Sequence, residues 1–213
     1  MTRIAIYLVG SLLAQSAAAG AIHVTVMNEK GESVSQAVVY ARPLGSVAPA
    51  PPRQRVMIDQ VDKEFVPELT VVYQGAEISF PNNDNIRHHV YSFSRPNAFE
   101  IPLYANQTAP PVTFTNPGVV ALGCNVHDWM SAYLFVADTP YYSVTGADGT
   151  ATLEAIPAGD YEVEIWHAQL RGKPDAHRQA VTVAEAVEKL SFSIRQKPVW
   201  KAWRGSRGAG GDY

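Results

Sequence analysis

The residue pattern predicts an all-β protein made of two sandwiches. Val, Ile, Thr, Tyr and Phe fill its short apolar runs. Pro and Gly, at 15 each, break these runs at frequent turns. No apolar stripe of helical period extends beyond a turn. The 213 residues suffice for one large or two small domains with a real hydrophobic core.

The elements follow in order. Arg3, the apolar run Ile4 to Leu13 and the small residues Ala17-Ala-Ala19 have the form of a secretory leader, residues 1–21, with Ala19-Gly-Ala21 as a second cleavage option. The apolar run is half the length a bilayer span requires, and no later segment is apolar enough to span, so the expectation is an exported, periplasmic chain with no membrane span once matured. Ile22-His-Val-Thr-Val-Met27 alternates as a strand and ends at the turn Asn28-Glu-Lys-Gly31; Ala37 to Ala41 is a second strand. A Pro-rich stretch from Pro43 to Pro52 reads as an extended linker. Strands are then expected at 56–58, 69–72, 77–80, 89–93, 112–114, 119–122 and 133–136. After Thr139-Pro140, further strands fall at 150–153, 161–167, 179–183 and 189–194, with at most one helical turn at 184–187. The end, residues 196–213, interleaves basic residues with Gly and Ser and reads as a flexible tail.

Charge excludes one class of function. With 17 basic and 20 acidic residues the chain is mildly acidic. It lacks the basic stripe of a nucleic-acid binder. Cysteine usage points the other way, toward chemistry. An exported protein normally pairs its cysteines, yet Cys124 is alone.

Its neighbours explain why. Gly123-Cys-Asn-Val-His-Asp-Trp-Met130 offers a thiolate, an imidazole (His127) and a thioether (Met130) within seven residues. Thiolate and thioether favour Cu(I), imidazole favours Cu(II), and structural zinc seldom accepts Met. A trigonal copper set needs one more imidazole. Asn85-Ile-Arg-His88-His89-Val90 supplies it upstream; strand alternation puts His88 on one face with Val90, and His89 on the other with Tyr91 and Phe93. That favours His88 over His89. Asp128 is open to two readings, an acceptor orienting His127 or a solvated loop acid. His23, His167 and His177 lie apart and are assigned no metal. No catalytic triad, phosphate loop or carboxylate pair stands out, so no catalytic residue is assigned.

Two resemblances complete the reading. Phe65-Val-Pro-Glu-Leu-Thr-Val-Val-Tyr-Gln-Gly-Ala-Glu-Ile-Ser-Phe-Pro-Asn-Asn-Asp84 resembles the opening of a bacterial cupredoxin, where a strand ending in Asn-x-Asp precedes the first His. The Cys-x-x-His-x-x-Met string is similar to the ligand loop of amicyanin. The resemblance implies a Greek-key cupredoxin sandwich over 54–138 and one type 1 copper held by His88, Cys124, His127 and axial Met130. It also implies electron exchange with a periplasmic dehydrogenase or cytochrome, with a hint of methylamine utilization, and no enzymatic activity. The sequence departs from the pattern at His89, where cupredoxins carry Asn, and at Gly123, which replaces a bulkier residue and would leave the site more open. Trp129 would belong to the docking surface.

The second resemblance concerns Gly146 to Ile165, which is similar to the latter half of carboxypeptidase-regulatory-like (transthyretin-like) sandwiches, with 22–41 as the first half. It implies an outer sandwich, 22–43 plus 144–195, split by the cupredoxin. The alternative is two consecutive domains. Two other functions remain open: a copper store or chaperone, marked by exchangeable Cu(I), and a non-redox carbohydrate- or protein-binding module, which would survive Cys124→Ser.

Overall fold

The structure is a computed structural model describing residues 19–45, 48, 50–105, 109–172 and 177–197. Nearly all of the expected leader and flexible tail lie outside them. The described residues form seventeen strands and no α-helix. Two lead the chain, β1 (Ala19–Asn28) and β2 (Val38–Pro43). Ten follow in the middle: β3 (Arg55–Met57), β4 (Asp59–Val61), β5 (Glu64–Val66), β6 (Leu69–Tyr73), β7 (Ala76–Ser79), β8 (His88–Ser92), β9 (Phe99–Tyr104), β10 (Val112–Phe114), β11 (Gly118–Gly123) and β12 (Ser131–Ala137). Five close it: β13 (Tyr142–Val144), β14 (Thr150–Pro157), β15 (Gly159–Trp166), β16 (Arg178–Val183) and β17 (Val187–Ile194).

The two ends of the chain share one core. β1 lies between β14, antiparallel, and β17, parallel, and the facing sheet runs β13-β2-β15-β16. Ile22, Val24 and Val26 alternate inward from β1, as their period of two demands, and meet Val39, Ala41, Leu153, Val163 and Phe192. A second core belongs to the middle strands, in sheets of order β6-β12-β11-β8-β9 and β10-β7-β3. It is filled by Ile58, Phe65, Val72, Ile78, Phe80, Val90, Phe114, Val120 and Leu134, together with Cys124 and Met130.

A third cluster joins them. In β2, Val39 and Ala41 face the first core, while Val38 and Tyr40 turn away to meet Phe135 and Ala137 of β12. Phe135 also rests on Trp166, ring centroids 5.5 Å apart, and on Tyr40 at 5.1 Å. This explains why Val38–Ala41 and Leu134–Ala137 are continuous apolar runs without alternation: each strand is covered on both faces. Beside the cluster, Arg42 Nε donates to Asp138 at 2.7 Å, just past β12, and Arg42 also pairs with Glu164 of β15. Buried Glu164 further accepts the Tyr40 hydroxyl at 2.6 Å and lies 3.2 Å from Arg178 Nε.

The observed elements depart from the expected ones, β13 among them: its three residues become a strand by pairing with β2. The turn at 184–187 is not helical; these residues bend into β17. The hairpin β4–β5 went unread because its turn residues, Asp62 and Lys63, adopt positive φ (53° and 61°) without a glycine to announce it. β9 was hidden by Pro102, which a strand interior excludes but an edge tolerates, and β9 is the edge of its sheet.

Candidate metal centre

The site is assembled from two loop ends on the five-stranded sheet. His88 opens β8 and is fully buried. Cys124 follows the last residue of β11 and is equally enclosed. Antiparallel pairing of Gly123 with Tyr91 aligns these two strand ends, which is why residues 36 apart in sequence meet. His88 Nδ1 lies 3.8 Å from Cys124 Sγ. His127 completes the group: one ligand atom from each of His88, Cys124 and His127 falls within 4.8 Å of the others. Its ring stands 5.1 Å from that of His88. A turn closed by the Met130 amide donating to the His127 carbonyl, 2.9 Å, then brings Met130 inside, into the same buried cluster as Cys124.

Each imidazole has one nitrogen spoken for by the protein or left for something else. His88 Nε2 is 2.6 Å from Asp84 Oδ2, so the carboxylate holds the ring with Nδ1 toward the sulfur. Asp84 is itself held: its oxygens accept the amides of Asp62 at 2.7 Å and Lys63 at 2.9 Å, and its own amide donates to Asn82 Oδ1. Burial works against the charged form of Asp84, but the Lys63 amide, His88 and the Asp62 amide together hold its carboxyl below the ordinary range. Asn82 braces the loop through its amide, bonded to the carbonyls of Ile86 and Tyr104.

His127 Nδ1 is buried with no hydrogen-bond partner. Such an atom costs free energy unless something occupies it. Burial, and next the neighbouring His88, push the His127 pKa down, so the ring is neutral and its lone pair free at ordinary pH. An orphaned imidazole nitrogen beside a buried thiol and a second oriented imidazole is the donor set of a soft or borderline metal ion.

The other sequence candidates fall as follows. His89 turns to the opposite face and meets Glu100 Oε1 at 2.8 Å. Asp128 is exposed; the carboxylate that orients a ring is Asp84, present in the sequence reading only as part of the Asn-x-Asp motif. Trp129 is about half exposed with its ring 5.1 Å from His127. His23 pairs with Thr152, and His167 accepts the Gln169 amide, both remote from the group. The ring tip of Tyr91 takes the space a side chain at Gly123 would fill, and beside it Gly123, Cys124 and Met130 line a groove of about 570 Å³.

No protein-family model matches the chain, and no curated protein does. Among solved structures, the chain is similar to a copper-containing nitrite reductase from Thermus scotoductus at 23% identity and a TM-score of 0.38, over 45% of this chain and 25% of that one. It is also similar to a Cu(I) variant of amicyanin at 19% identity and a TM-score of 0.36, over 46% of this chain and 99% of that one. A reduced amicyanin variant gives 19% and 0.37 over the same shares. The chain thus spans a quarter of the nitrite reductase, and less than half of it is matched in each case.

Proposed function

We propose that the protein is a cupredoxin-class type 1 copper protein that carries electrons between other exported proteins. The observation that carries this reading is the buried His88–Cys124–His127 group with its unpartnered His127 nitrogen. Copper fits the donor set, since thiolate suits Cu(I) and two imidazoles suit Cu(II), and it would supply reversible one-electron exchange. His88, Cys124 and His127 would hold the ion, with Met130, buried beside Cys124, as a further weak donor. Asp84 orients His88, and the packed sheet keeps all of them in place through a change of charge.

The wider proposals follow from the same reading. The middle strands, 54–138, form the copper domain, inserted into an outer sandwich of 22–43 and 144–195. Residues 1–21 serve as an export leader, and the site of action is the periplasm. The role is that of a carrier rather than an enzyme, its partners a dehydrogenase or cytochrome that meets the exposed Trp129 edge.

Loading the purified protein with Cu(II) tests the core of this. The expected result is an intense thiolate-to-copper band in the visible and a narrow paramagnetic-resonance splitting, both lost in Cys124→Ser and His88→Ala and kept in His89→Ala. A colourless protein that exchanges Cu(I) freely would support copper storage instead.

A further inference from the structure

We infer that Gln60 is a positioning residue of the metal centre: through Tyr104 and the main chain at 80–82 it fixes where His88 is carried, while Asp84 fixes how the ring is turned. The inference rests on the copper reading above and deepens it with two residues, Gln60 and Tyr104, to which that reading gives no part.

Gln60 lies in β4 and is fully buried. Its side-chain nitrogen, Nε2, donates to the Pro81 carbonyl at 2.9 Å and to the Tyr104 hydroxyl. That hydroxyl donates in turn to the Phe80 carbonyl at 2.7 Å. One short chain of donors thus holds two successive carbonyls where the chain leaves β7 for His88. The approach to His88 is held from the same place. Tyr104 stands opposite His88 in the β8–β9 ladder. Its carbonyl accepts the Asn82 side-chain amide at 2.8 Å, and that amide also reaches the Ile86 carbonyl at 3.0 Å. The Gln60 main chain bridges to Asn82 and accepts the Asn83 amide at 3.0 Å. Just past His88 the ladder is irregular, its register shifting before Val90, so regular pairing alone does not set this strand end.

A second observation separates this role from ordinary packing. Gln60 Oε1 is buried with no hydrogen-bond partner. An apolar side chain of the same size would avoid that cost, so what the glutamine contributes is its two N–H donors. Their acceptor is itself a steady donor. Burial is the main cause lifting the Tyr104 hydroxyl to about 12; Gln60 opposes it, and Asp59 and Cys124 add to it.

The test compares the parent protein with Gln60→Met, with Tyr104→Phe, which keeps the ring, and with the double variant. In the metal-free proteins, amide hydrogen exchange at residues 86–90 should quicken about tenfold in each single variant, the effect of losing one hydrogen bond. Exchange in β12 should quicken less, and exchange in β15 of the outer sandwich should not change. Imidazole favours Cu(II), so a His88 held less firmly should raise the reduction potential of the copper-loaded variants while the thiolate-to-copper band persists. The double variant should match the single ones, since both changes break the same chain of donors. Equal quickening in β12, an unchanged potential, or effects that add in the double variant would make Gln60 a merely structural residue and overturn the inference. A parent that takes up no copper would instead sink the copper reading, and the metal-free exchange would still decide whether Gln60 anchors His88.

Discussion

At the scale of single residues, the site depends on a carboxylate that touches no metal. Asp84 joins three things: the His88 ring, the turn amides of the β4–β5 hairpin and, through its own amide, Asn82. Its folded pKa lies below the ordinary value of 3.8. A depressed carboxyl stabilises the fold above its unfolded pKa and ceases to do so as pH falls through the folded one. Chemical denaturation of the metal-free protein should therefore show stability falling as the pH drops below about 3.8, and Asp84→Asn should flatten that limb. At neutral pH the variant should be weaker by about 2 kcal/mol, the worth of a hydrogen bond to a charged group. An acid limb identical in both proteins would contradict this. The four proposed ligands were readable from their chemistry, since soft and borderline donors at short spacing are rare in a chain with one cysteine. Asp84 was not, because what makes a carboxylate important here is the hairpin it meets, and that hairpin has no glycine to reveal it.

At the scale of elements, β8 and β11 do most to form the site. Their pairing sets His88 beside Cys124, and it works only because Gly123 yields its side-chain space to Tyr91. Gly123→Ala should cost about 1–2 kcal/mol by forcing that ring aside. The penalty should shrink in a Tyr91→Leu background, as a double-mutant cycle in urea would measure; equal costs in the two backgrounds would remove Tyr91 from the account. Strands with clean alternation or unbroken β-branched runs were legible. Those that were missed, β4, β5, β9 and β13, are short or carry Pro102, and their pairing partners rather than their own residues make them strands.

At the scale of the molecule, the two cores are held together by an aromatic cluster and by the Arg42–Asp138 pair, and Arg42 also belongs to a charged knot within the outer sheet. Glu164 is buried among Tyr40, Arg42 and Arg178, and burial first, then the glutamate, raises the Tyr40 hydroxyl's pKa well above normal. Removing one member strands the others. Glu164→Ala should lower stability by about 2 kcal/mol, allowing for the partial exposure of Arg42. Glu164→Gln, which keeps the shape, should lose less; thermal melts of both would show it, and equal losses would mean the charge does not matter. The copper spectrum should not change in either, because the knot lies outside the metal group. That the halves touch through covered strands was visible in retrospect in the two unbroken apolar runs, Val38–Ala41 and Leu134–Ala137, but a run covered on both faces does not say what covers it.

The flanking of β1 by β14 and β17 also sets an order of assembly. Ile22 finds its ladder partners only at Leu153 and Glu188, so β1 is satisfied only once strands near the far end of the described residues have been made. The middle strands close their own core within one continuous stretch, and shorter loops close faster. The half that holds the His88–Cys124–His127 group can thus fold while β1 still waits for β14 and β17, and anything that delays those two strands leaves a finished domain trailing an unpaired, aggregation-prone edge.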